Sequence, residues 1–131
     1  MVLLRKGIFM IDLNETGYLI HRTAVEKGFY DVETFDTNFG LSKIALLHSE
    51  CAEVLESIRK EQGEEAIMFE VADAMIRLLD LVEILKEGGF VGKDLMLEDY
   101  VADKMRTNCE HPPQTWSACL EDYGRLFLGR R

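Results

Sequence analysis

Apolar residues recur along most of this chain at the three-and-four spacing of an α-helix. Ile44, Leu47, Cys51, Val54 and Ile58 follow one another at steps of three, four, three and four residues. Met68, Val71, Met75, Leu78, Val82 and Leu85 repeat the alternation. Each series marks one side of a long helix, so the spacing predicts helices over Leu41–Glu61 and Glu64–Glu87. A shorter helix is predicted over Asn14–Lys27, capped by Asn14 or Thr16 and ended by Gly28. A fourth is predicted over Asp94–Asn108, with Leu95, Leu97, Val101 and Met105 as its apolar side. Tyr30–Phe39 mixes polar and aromatic residues without a period and reads as a loop. Beyond Pro112-Pro113 a further short helix is expected near Trp116–Phe127.

The breaks at Gly63 and at Gly88-Gly89 are short, which makes consecutive helices antiparallel neighbours. The fold class expected is all-α, a four-to-five-helix antiparallel bundle, and 131 residues suit a single domain over 1–131. Helix three carries Phe69, Ile76 and Leu81 outside its main stripe, so it is apolar nearly all round. Such a helix is buried in its assembly, and four helices of this length do not bury it alone. A homodimer or a dimer of dimers is therefore expected. Cys51 lies on the stripe of helix two and is expected as a small core residue.

Charge narrows the partners. The chain has 24 acidic and 15 basic residues, a formal net charge of −9. That balance argues against binding to the phosphate backbone of nucleic acid and against docking on anionic membranes. No apolar run reaches the roughly 18 residues of a spanning helix. The N-terminal MVLLRKGIFMID is broken by Gly7 and lacks the pattern of a signal peptide, so it reads as mature protein. Three cysteines without a CxxC pair suggest reduced thiols and a cytoplasmic setting.

The acidic residues carry the candidate chemistry. Glu50 and Glu53 are three apart on helix two, and Glu70 and Asp73 have the same spacing on helix three. Residues three apart share a helix face, with Cβ atoms about 5–6 Å from each other. By the helical wheel, both pairs sit on the same rotational side, roughly 110–140° from their stripe centres. In an antiparallel pair these equal offsets place all four carboxylates on one flank, and Asp80 lies further along the same side. Four carboxylates set into an apolar surface repel one another and are costly to desolvate unless neutralised. A hard divalent cation, Mg²⁺ or Mn²⁺ rather than zinc, suits such an all-oxygen set. Arg77, one turn after Asp73, is the competing neutraliser in a purely structural ion-pair network.

At these residues the sequence resembles the all-α, MazG-like nucleoside triphosphate pyrophosphohydrolases, a family marked by ExxE and ExxD pairs on consecutive helices. Here the pairs are Glu50-Cys-Ala-Glu53 and Glu70-Val-Ala-Asp73, within ALLHSECAEVLESIRK and EVADAMIRLLDLVEIL. DKMRTN resembles the start of the family's closing motif, which implies phosphate contacts from Lys104 and Asn108. LIHRTAVEKGFY resembles the stretch that supplies a histidine and an aromatic near the base, here His21 and Tyr30. The resemblance spans about Leu19 to Asn108, and it departs after Asn108, where many relatives continue with basic residues and this chain has Cys-Glu-His-Pro-Pro. It implies a MazG-like bundle completed by oligomerisation and Mg²⁺ held by Glu50, Glu53, Glu70 and Asp73. It also implies hydrolysis of a nucleoside triphosphate to monophosphate and pyrophosphate, as nucleotide-pool housecleaning. The alternative is a non-catalytic helical interaction or oligomerisation domain that retains the acidic bundle.

Overall fold

The computed structural model describes residues 12–30 and 34–110. Among them are four helices and no strand: α1 over Leu13–Glu26, α2 over Thr37–Arg59, α3 over Glu64–Glu87 and α4 over Leu97–Glu110. Among the described residues no helix is long and apolar enough to cross a membrane.

Local chemistry sets the helix ends. The cap of α1 is Asp12, whose side chain accepts from the Glu15 amide at 2.9 Å, in place of the expected Asn14 or Thr16. Asp36 caps α2 in the same way, accepting from the Phe39 amide at 2.9 Å. Residues 37–39, expected as loop, are therefore the first turn of α2. A carboxylate at this position satisfies an amide that has no partner within the helix. The bounds of α3 coincide with those expected, and α4 begins at Leu97 rather than Asp94. The short helix expected near Trp116–Phe127 lies outside the described residues.

The chain divides into two compact units, Met1–Glu98 and Asp99–Arg131, the second beginning within α4. In the first unit α3 packs against both α1 and α2. Its register with α2 is antiparallel: Glu50 meets Arg77, and Glu53 lies beside Glu70. Its register with α1 is parallel, since Gly17 stands against Leu79 while His21 meets Asp80 and Glu87. The three helices thus run up, down and up.

Two glycines allow close approach. A Cβ on Gly17 would lie 3.4 Å from the Leu79 carbonyl oxygen, so α1 rests nearly backbone to backbone on α3. At Gly88, just past α3, a Cβ would lie 2.6 Å from the Phe35 carbonyl oxygen. Only glycine lets the segment before α2 close over that helix end.

The buried apolar residues Leu79, Leu81 and Ile84 sit in the C-terminal half of α3. His21, Ser57 and Asp80 are buried with Gly17 and Gly40. The periodic stripes lie elsewhere. Met68 is 63% exposed, Met75 49%, and Ile58 on α2 54%. By the rule of about 100° per residue, the buried side of α3 is roughly opposite its stripe. Cys51 is exposed too, which corrects its expected place in the core. For the α3 stripe the reason is that α1 and α2 pack on its other side, and among the described residues no second layer of this chain covers it.

Candidate functional site

The acidic pairs converge across the α2–α3 interface. Oxygens of Glu50, Glu53 and Glu70 all lie within 4.8 Å of one another. Glu50 and Glu70 are half-buried, while Glu53 and Asp73 are exposed. Asp73 stands outside that triad, one turn along α3 from Glu70. Crowding has an electrostatic signature. Desolvation first, then the charges of Glu53, Asp73 and Glu50, push Glu70 above the usual carboxylate range, and a hydrogen bond with Glu53 adds to the shift.

Two neutralisers were open to this cluster, and one is engaged. Arg77 Nε donates to Glu50 Oε1 at 3.0 Å. Among the described residues no cation stands within ion-pair distance of Glu53 or Glu70. The donor set fits a hard divalent ion, being all oxygen. Opposite ligands of an octahedral Mg²⁺ stand about 4.2 Å apart, twice its bond length. Adjacent ligands stand about 2.9 Å apart, so the triad, whose oxygens lie within 4.8 Å of one another, would have to draw closer to hold such an ion.

Beside the acids lies a cleft of about 860 Å³, bounded by α1 and α3. Thr16, Leu19, Ile20 and Ala24 of α1 form one wall, with Phe29 just past the helix. Ile76, Arg77 and Asp80 line the α3 side, and Glu50 and Asp73 bring the acidic cluster into the same space. The volume is that of a small-molecule site, and its walls combine apolar side chains with charged ones, Asp12 and Glu15 of the α1 end among them.

Asp80 is also the centre of a buried network. His21 Nδ1 lies 2.8 Å from Asp80 Oδ1, and the Tyr30 hydroxyl donates to Asp80 Oδ2. On the other edge of the ring, His21 Nε2 is 3.3 Å from Glu87 Oε1. Desolvation pulls the imidazole down, but the hydrogen bond and charge of Asp80, with the charge of Glu87, outweigh it, so His21 ends above its ordinary value. Burial first, then the bond to Asp80, raises the Tyr30 hydroxyl. Phe35 and Phe39 pack edge-on to Tyr30 at 5.6 Å, and the Lys43 ammonium sits 4.8 Å over the Tyr30 and Phe39 rings. Desolvation, with the Arg77 charge, lowers Lys43, against the pull of Asp80.

The structure thus brings together Glu50, Glu53 and Glu70, with Asp73 beside them, and separately joins His21 to Tyr30 through Asp80. His21 and Tyr30 bind that carboxylate without lining the cleft themselves. Lys104 and Asn108 belong to the second unit, where both are exposed and, four residues apart, share one side of α4. The helical wheel places Asp80 on the flank of the acidic pairs but does not identify its partners. The signal was present: a lone acid inside the apolar run Leu78-Leu79-Asp80-Leu81-Val82 needs donors if it is buried. Comparison of the chain with protein-family models, with curated proteins and with solved structures finds no match.

Proposed function

We propose that this chain is a Mg²⁺-dependent nucleoside triphosphate pyrophosphohydrolase of the MazG-like kind, with Mn²⁺ as a substitute ion. The observation that carries the reading is the meeting of Glu50, Glu53 and Glu70, with Asp73 beside them, at a cleft of nucleotide size. Glu50, Glu53, Glu70 and Asp73 would hold the ion. Bound there, Mg²⁺ supplies neutralisation of the triphosphate and a polarised water. Attack by water at the α–β anhydride breaks one P–O bond and releases nucleoside monophosphate and pyrophosphate. One carboxylate of the set takes the proton of the attacking water. By the resemblance, Lys104 and Asn108 would contact the phosphates, the lysine as a point charge. The substrate's base enters the apolar part of the cleft, near the group that His21 and Tyr30 hold in place. The protein works in the cytoplasm on the nucleotide pool.

The exposed apolar side chains of α2 and α3 support a homodimer or a dimer of dimers in this reading. They also favour the rival, a helical interaction domain without turnover. Release of pyrophosphate from a panel of nucleoside triphosphates separates the two. Turnover with Mg²⁺ that is abolished by EDTA is the expected result. No release from any nucleotide, with a stable oligomer, would leave the interaction domain standing.

A further inference from the structure

We propose that Asp80 is a specificity residue of the cleft, an acceptor that selects nucleobases carrying an exocyclic amino group. The inference rests on the pyrophosphohydrolase reading and adds to it the class of base.

Asp80 is only 6% exposed, yet it lines the cleft. Its two oxygens are fixed by partners from other parts of the fold. His21 on α1 holds Oδ1 at 2.8 Å, and Tyr30 donates to Oδ2. A carboxylate has about four lone-pair sites, and these two bonds use two of them. The remaining ones can accept only from a donor. Of the described residues that line the cleft, Leu19, Ile20, Ala24 and Ile76 are apolar, the Thr23 hydroxyl already donates to the Leu19 carbonyl at 2.8 Å, and none donates to Asp80. Arg77 on the same wall turns its Nε to Glu50 and makes no bond to Asp80. A ligand that fills this part of the cleft meets a carboxylate with acceptor capacity to spare, and a donor on the ligand is the group that suits it.

Placement along α3 says which part of a nucleotide arrives there. Asp80 follows Asp73 by seven residues, about 10.5 Å along the helix axis at 1.5 Å per residue. With the phosphates at the acidic cluster, that offset is the reach of one nucleoside, so Asp80 meets the base and not the sugar or phosphates. Cytosine, adenine and guanine present amino groups at the base edge. Uracil and hypoxanthine present a carbonyl in the corresponding place, and two acceptors face to face repel. An acid accepting from a base amino group is a recurrent pairing in base recognition. A site built to bond a donor discriminates against the analogue that lacks it, because its own buried group is left unpaired.

The experiment uses the full-length protein with Mg²⁺ and two matched pairs that differ at this edge, dCTP against dUTP and ATP against ITP. Both kcat/KM for pyrophosphate release and equilibrium binding are measured. The amino-bearing member of each pair is expected to be favoured by about tenfold or more, the worth of one hydrogen bond to a charged acceptor. Asp80→Asn, which makes one side of the group a donor, is expected to narrow or reverse both ratios. Equal handling of both members of each pair overturns the inference and leaves the pyrophosphohydrolase reading intact. So does a preference that Asp80→Asn leaves unchanged. If that variant does not fold, the wild-type ratios still decide. Neither turnover nor binding with any of the four overturns the inference together with the reading beneath it.

Discussion

Arg77 on α3 and Glu50 on α2 form an ion pair of 3.0 Å across the helix interface, at the edge of the carboxylate cluster. Arg77 is 43% exposed at its side chain, so the pair itself is worth about 1 kcal/mol or less. Its larger role is to offset repulsion that a cation would relieve in its place. Arg77→Ala is expected to lower the melting temperature in EDTA by a few degrees and to enlarge the rise that Mg²⁺ produces. For the wild type, linkage at ten times the dissociation constant amounts to about 1.4 kcal/mol. Melting curves of both proteins, with EDTA and with millimolar Mg²⁺, make the test. Curves indifferent to Mg²⁺ in both would remove the metal site.

Glu53→Gln and Asp73→Asn keep shape and remove one charge each. Both residues are exposed, so the fold is expected to survive. A hard divalent ion depends on that charge for affinity and for polarising its water, so each variant is expected to lose most turnover. In a purely structural ion-pair network the balance is reversed, and melting temperature moves more than rate. Measuring both for each variant separates the cases. Activity within a few fold of wild type in both would sink the catalytic role.

Lys104→Ala is expected to weaken nucleotide binding while Mg²⁺ binding stays nearly intact. A protonated lysine attracts phosphate and does not ligate a cation. Titration of the variant with Mg²⁺ alone, and then with a non-hydrolysed nucleotide, reads the two affinities separately. Equal loss of both would make Lys104 structural.

His21 confers a pH dependence of known sign. Its folded pKa lies above the ordinary value of 6.5 because Asp80 and Glu87 outweigh desolvation. A histidine raised on folding contributes stability in full below about pH 6.5, where the unfolded chain is protonated too. The contribution is lost as pH rises through the folded value. Melting temperature is therefore expected to fall over that window in the wild type and to fall less in His21→Gln. A proton-NMR titration of the imidazole checks the cause, with a midpoint above 6.5 expected.

Much of this was legible in the residues themselves. Periodicity located α3, and Gly63 and Gly88 on its two sides marked its end residues. It did not tell which side of α3 faces inward. A helix with apolar residues nearly all round has more than one candidate face, and packing against α1 and α2 together buried the side of Leu79, Leu81 and Ile84. The start of α2 was missed because Asp36 acts through a single cap bond, and aromatic residues around it obscured the period. ExxE and ExxD spacing did anticipate the cluster, since same-face placement on two antiparallel helices is local geometry. The bond from His21 to Asp80 spans 59 residues of sequence, and no local pattern encodes such a meeting.

Gly17 is a point of close approach between α1 and α3, the helices that bound the cleft. A methyl there would rest 3.4 Å from the Leu79 oxygen and 3.7 Å from its Cβ, filling the gap. A carbon branched at that point, as in valine, would wedge the two helices apart. The same wedge would draw His21 away from Asp80, one turn along α1. The spacing of the cleft's walls and the reach of His21 to its buried acid therefore both depend on one residue, and on a side chain that is not there.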